Sequence, residues 1–133
     1  MSRENVKIVR RQYAAVNEGD FAHAMSYYSD DVELVTQPGD FRAGTFQGRE
    51  AVGRWFGDWF NSFRDSRFDI EEVQALPGGA VLLVADFAGR GRTSGVAVRG
   101  KVVWVYRLQG GKVARVEGYA SRDEAVEAVG LRE

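Results

Sequence analysis

At Ser66 the spacing of apolar side chains changes, and that change limits the possible folds more than any other feature of the chain. Before it, apolar residues recur at helical intervals: Val6, Val9, Tyr13 and Val16, then Phe21, Ala24, Met25 and Tyr28. A third run, Val52, Trp55, Phe56, Trp59, Phe60 and Phe63, keeps the same spacing through "EAVGRWFGDWFNSF" behind a tight turn at Gly48. Gly19 and Asp20 suit the C-terminal cap of the first helix and the N-cap of the second. "SDD" breaks the second helix, and "VELVTQPG" predicts one strand that turns at Pro38. After Ser66 the period is two. "SRFDIEEVQAL" alternates, with a phase slip at Glu71 and Glu72 that predicts a β-bulge. "PGG" at Pro77 makes a turn, strands follow over about Ala80 to Arg92 and Val96 to Leu108, and "QGG" leads through a hairpin to a last strand from Lys112 to Ala120. "SRDEAVEAVG" closes the chain as a short helix, with Ser121 at its N-cap. Helices first and an antiparallel meander afterwards predict the α+β class: a curved, mostly antiparallel sheet wrapped around three helices, with a short C-terminal helix.

Length and composition narrow the function. The 133 residues suit one domain with one core, spanning 1–133. A net charge of −1 gives no general attraction to phosphate, which argues against nucleic acid as a partner. The chain has no cysteine and one histidine, so disulfides, thiolate metal sites, a cysteine nucleophile and a His-rich metal site are all excluded. The expectation is a protein without metal or cofactor. "MSRENVKIVRR" lacks the apolar core of a signal peptide, and no run of about 18 apolar residues is present to span a bilayer. A cytoplasmic chain with no membrane partner is expected.

Strand faces locate a candidate site. In the Val96–Leu108 strand the even positions are Val96, Val98, Gly100, Val102, Trp104, Tyr106 and Leu108, and this face is read as inward. In the last strand Ala114, Val116, Gly118 and Ala120 are read as inward, while Arg115, Glu117 and Tyr119 face out. Small residues beside Trp104 and Tyr106 predict a pocket between sheet and helices. The Val81–Arg92 strand is apolar on both faces, so a second layer must cover its outer side; a partner chain is the simplest source, and a homodimer is expected. That strand carries one carboxylate, Asp86, on the face read as inward, with Arg90 and Arg92 two and three steps along the same alternation. Two readings stand: Asp86 is a general base in the pocket, or it is pinned by Arg90 or Arg92 as structure.

"RRQYAAVNEGDFAHAMSYYSDDVEL", "FQGREAVGRWF" and "RLQGGKVARVEGYASRDEAVEAVG" resemble the SnoaL-like branch of the nuclear transport factor two-like superfamily, which includes ketosteroid isomerase and polyketide cyclases. The resemblance covers nearly the whole chain. It implies a cone-shaped α+β barrel with an apolar pocket at the wide end, usually dimeric. Carried over by residue, the isomerase's helix-one tyrosine falls on Gln12, with Tyr13 one step out of phase. Its aspartate base falls on Thr36 and its oxyanion aspartate on Trp104. A threonine hydroxyl is no base near neutral pH, and an indole N–H only donates, so the isomerase mechanism is not expected. Cyclases of this type use an acidic pocket residue to take a proton beside a carbonyl, and Asp86 is the carboxylate offered for that role.

The function expected from these residues is binding of a small, largely apolar molecule. Catalysis by proton transfer or ring closure beside a carbonyl would use Asp86 as base and Tyr13 or Trp104 as donor. The alternative is a non-catalytic dimeric binding or interaction module. Trp55, Trp59, Phe60, Trp104, Tyr106, Val116 and Gly118 are candidate ligand contacts, or else core and pocket wall. Arg90 is a candidate for holding an anionic ligand head, or else a solvated strand-end charge. His23 is read as solvent-facing, and Glu117 as pairing with Arg115 or Arg107 on the outer face.

Overall fold

The computed structural model describes residues 2–36 and 43–132. The turn expected at Pro38 lies outside the described residues. The order is α1 (Ser2–Asn17), α2 (Phe21–Met25), β1 (Tyr28–Thr36), β2 (Gly44–Gln47), α3 (Arg49–Asn61), β3 (Phe63–Ala75), β4 (Val81–Gly91), β5 (Ala97–Gln109), β6 (Lys112–Tyr119) and α4 (Arg122–Arg132). The strands form one sheet in the order β2-β1-β6-β5-β4-β3. The β1–β6 pair is parallel, and the other pairs are antiparallel. The sheet curls like a cone without closing, and α1, α2 and α3 fill its concave side.

The helix ends follow from local chemistry. Gly19, at φ +80°, ends α1: its N–H bonds the carbonyl of Val16, and the N–H of Asp20 bonds that of Ala15. A residue with a Cβ is disfavoured at that left-handed position. Asp20 then accepts the N–H of His23 at 3.2 Å, starting α2. His23 itself is exposed and stacks on Tyr27.

Three boundaries differ from the sequence reading. Tyr28 and "SDD" open β1 instead of ending a helix, because the strand is caught by β6: Tyr28 pairs with Val113, and the ladder resumes at Glu33 opposite Arg115. Phe63 belongs to β3, opposite Gly91, since α3 stops at Ser62. A second early strand, β2, pairs along β1 from Thr36 back to Glu33. The bulge expected at Glu71 and Glu72 is present, for the β3–β4 register slips between Ile70 and Glu72.

The inward face of β5 also needs correcting at its start. Trp104 and Tyr106 are buried toward the helices, as expected. Val96, just ahead of the strand, and Val98 are 61% and 37% exposed, and neither belongs to the main core cluster. On β6, Val116 and Gly118 are buried opposite Tyr106 and Trp104. A register shift after Arg107 turns Val113 inward in place of Ala114.

β4 carries two cores. Val81, Leu83, Ala85 and Phe87 join the main cluster under α1 and α3. Leu82 and Val84 join a second cluster with Val103, Val105, Ala125 and Val129. The second layer over β4 is therefore the chain's own α4, where a partner chain had been the expected cover. Arg122 ties that helix to β3 through a forked contact with Glu72 at 2.8 and 3.0 Å.

If α4 covers β4 in this way, Leu82→Ala costs about 3 kcal/mol, while Asp86→Ala at an exposed position stays within about 0.5 kcal/mol. Urea unfolding of the two variants measures both, and a cost below about 1 kcal/mol for Leu82→Ala would contradict the packed outer layer.

Candidate functional site

Three positions of α1 face the same way because they share the Val9 stripe. Gln12, Tyr13 and Val16 meet Ala24 and Met25 of α2, Tyr28 of β1, Phe56 and Phe60 of α3, Phe68 of β3 and Trp104 of β5 around a cavity of about 20 Å³. That volume is enough for about one water molecule. The expected pocket is thus largely filled by aromatic rings. Trp104 lies edge-on to Phe56 and Trp59, with ring centres 5.5 and 5.9 Å away. Such contacts favour the closed packing beyond their buried area.

A groove of about 630 Å³ lies next to the cavity, between the end of α1 and the end of α3, lined among others by Asn17, Gly19, Gly57 and Asn61. Val16, Phe21 and Phe60 border both spaces. The rings of Phe21 and Phe60 meet edge to face at 5.9 Å where the two spaces adjoin.

The polar groups of the cavity are uncharged. The hydroxyls of Tyr13 and Tyr106 share a hydrogen bond. Burial pushes the phenols of Tyr13, Tyr28 and Tyr106 above the ordinary tyrosine range; the neighbouring Tyr28 adds to the effect at Tyr13, and the Gln12 amide opposes it at Tyr28. Gln12 is 3% exposed. Its Nε2 donates to the carbonyl of Ala24 at 3.2 Å, which fixes which end of the amide is which. Its Oε1 has no hydrogen-bond partner among the described residues. Among the described residues no Asp, Glu, Lys, Arg or His lines the cavity. The arrangement can donate to a carbonyl or accept from a hydroxyl; among the described residues it holds no base able to take a proton near neutral pH.

The structure brings together only part of the sequence-derived set. Tyr13, Phe60 and Trp104 line the cavity. Trp55, Trp59, Tyr106, Val116 and Gly118 lie in or against the surrounding core. Asp86 is on the outer face, which corrects its inward placement. It stands opposite Lys101, with a carboxylate 58% exposed and 3.5 Å from the Lys101 ammonium. The reason is register: Val81 pairs with Tyr106 and Leu83 with Trp104, so the odd positions of β4 turn inward. Neither arginine reaches Asp86. Arg90 donates to the carbonyl of Gly95 at 3.2 Å, and Arg92 donates to those of Asn61 and Phe63 at 2.9 and 3.0 Å. Both therefore hold backbone at strand ends. Thr36, where the resemblance puts the isomerase base, donates to the carbonyl of Gly44 at 3.4 Å. Glu117 is buried on the outer face beside Arg115 at 2.8 Å and Arg107 at 3.5 Å, as its sequence position suggested.

Sequence reasoning missed Tyr28 and Phe68 as cavity wall, and gave Gln12 no role of its own. A signal for Gln12 was present: it sits three residues after Val9 and four before Val16, as the one amide in an apolar stripe.

The family model of the SnoaL-like domain matches residues 9–116. No curated protein sequence matches the chain. Among solved structures, an NTF2-like protein of Burkholderia thailandensis is 23% identical, with 94% of this chain and 96% of that one covered and a TM-score of 0.76. A polyketide cyclase candidate from Xanthomonas campestris is 21% identical over 97% and 99% of the two chains, with a TM-score of 0.77. A hypothetical protein of Catenulispora acidiphila with a ketosteroid isomerase-like fold, in complex with trimethylamine, is 17% identical over 86% and 85%, with a TM-score of 0.72. At these identities the likeness establishes the fold.

The raised tyrosines set an alkaline limit on stability. Above about pH 10 these phenols ionise in the unfolded chain but stay protonated in the fold, so the unfolded state binds fewer protons and stability falls as pH rises. Three such groups give a slope that grows from roughly 2 kcal/mol per pH unit at pH 10 toward roughly 4 near pH 11, and Tyr28→Phe removes about a third of it. Urea titrations at pH 9 to 11 measure this, and an unchanged slope in Tyr28→Phe would show that its hydroxyl is not buried.

Proposed function

The chain belongs to the SnoaL-like domain family, and from that premise we propose that it is a cytoplasmic binding protein for a small, largely apolar molecule. The ligand lodges between α1, α2, α3 and the concave sheet. It reaches that place from the groove, by displacement of the Phe21–Phe60 ring pair. The observation that carries this reading is an aromatic-walled cavity with buried neutral polar groups, adjoining a solvent-open groove at two rings. Sites of this kind, mostly apolar with a few placed polar groups, suit small-molecule recognition.

A proton-transfer enzyme is the less supported reading. The likeness to a polyketide cyclase candidate and to an isomerase-like fold speaks for it. The chemistry of the wall speaks against it, since ring closure or isomerisation beside a carbonyl needs a base in reach. Asp86, on the opposite side of the sheet, does not supply one.

The protein works as a homodimer joined through the outer sheet face beyond α4. Support comes from the buried Glu117 and its two arginines on that face, ion pairs of a kind that gain strength when water is excluded. Sedimentation at micromolar concentration is expected to give twice the chain mass, and a single-chain mass would remove the dimer from the account.

A thermal-shift screen with small uncharged aromatic compounds, carbonyl- and hydroxyl-bearing alike, tests the binding site. Hits are expected to raise the melting temperature equally in the wild type and in Asp86→Asn. Gly57→Trp should abolish the rise, because Gly57 lines the groove and a Cβ there meets nothing within 4 Å, so the added side chain starts from open space. Hits that survive Gly57→Trp would place binding elsewhere.

A further inference from the structure

We infer that the cavity selects a ligand bearing an uncharged hydroxyl, a phenol or an enol, whose proton is accepted by Oε1 of Gln12. This rests on the binding reading above and names the ligand class for that same site. Gln12 is 3% exposed and lines the cavity, yet its carbonyl oxygen bonds to nothing among the described residues. The amide cannot turn round to escape this. Its nitrogen is held by the carbonyl of Ala24, and a reversed amide would set two acceptors against each other. A buried acceptor without a donor costs stability, so the site favours an occupant that brings one.

The other groups narrow the class. Tyr28 lines the same cavity as Gln12, and its hydroxyl can donate to a ligand oxygen whose own proton goes to Gln12. A ketone oxygen would accept from Tyr28 but leave Gln12 unpaired. A carboxylate or phenolate would bring a charge into a wall that offers no cation among the described residues, at a high desolvation cost. The ligand body takes the space that opens between the aromatic wall and the groove when Phe21 and Phe60 move apart. A ligand hydroxyl also reproduces the hydrogen bonds a water would make there, and an apolar group does not.

Equilibrium dialysis at pH 7 with 2-naphthol and 2-fluoronaphthalene, near-equal in shape but differing in the donor, tests this. Wild-type protein is expected to hold 2-naphthol about tenfold more tightly, a difference of about 1.4 kcal/mol. Gln12→Leu should erase the preference while keeping 2-fluoronaphthalene bound. Equal affinities in the wild type, or a preference kept in Gln12→Leu, would overturn the inference and leave the pocket standing. If Gln12→Leu does not fold, Gln12→Met takes its place, and the wild-type comparison decides alone if both fail. If the wild type binds neither probe, Phe60→Ala widens the junction between cavity and groove. Tenfold preference for 2-naphthol there upholds the inference, and equal binding overturns it. No binding of either probe would bring down the pocket reading and the inference together.

Discussion

Asn17 holds the helical layer to the edge of the sheet. Its side-chain amide donates to the carbonyl of Phe68 and accepts from the N–H of Phe68, both at 2.9 Å. The amide thus does for β3 what a neighbouring strand would do, and it satisfies part of an edge that would otherwise be open to pairing. The same contact sets the height of α1 over the sheet. Because Asn17 sits one turn past Tyr13, fixing it at Phe68 brings Gln12 and Tyr13 over Trp104 and Tyr28, and leaves Val16 at the lip of the groove. Gly19 then lets the chain reverse, so that Phe21 returns to meet Phe60.

Most of the architecture was legible in periodicity. The switch from helix to strand (which falls at Phe63, three residues before the Ser66 read from spacing), the bulge at Glu71 and the burial of Trp104 and Tyr106 all follow from a repeat of two imposed on apolar residues. The boundaries were less legible where the repeat fits two elements. Tyr28 continues the stripe of α2 and also pairs with Val113; Phe63 continues α3 and also pairs with Gly91. Long-range strand pairing decided both, and pairing partners are not visible in a local window.

The site was harder to read for a related reason. β4 is apolar on both faces because α4 covers one of them, so alternation alone could not tell which side Asp86 takes. The register to β5 could have told: once Trp104 and Tyr106 are inward, Leu83 and Val81 opposite them must be inward too. Moving Asp86 across the sheet changes the chemistry of the interior. What the described residues place around the cavity is a neutral set of tyrosine hydroxyls and the Gln12 amide, suited to recognition by hydrogen bonds. Arg90 and Arg92, read as partners of that carboxylate, spend their donors on backbone carbonyls at strand ends instead.

The double-sided burial of β4 reaches into the dynamics of the chain. A strand that belongs to both clusters cannot be released by undocking α4 alone, nor by loosening α1 and α3 alone, since either change leaves its other face packed. Its amides are thereby restricted to hydrogen exchange through opening of the whole domain, whereas β2, short and at the far edge, can exchange through fraying. The C-terminal helix and the cone are one cooperative unit as a result, and damage to either lowers the protection of the same central strand.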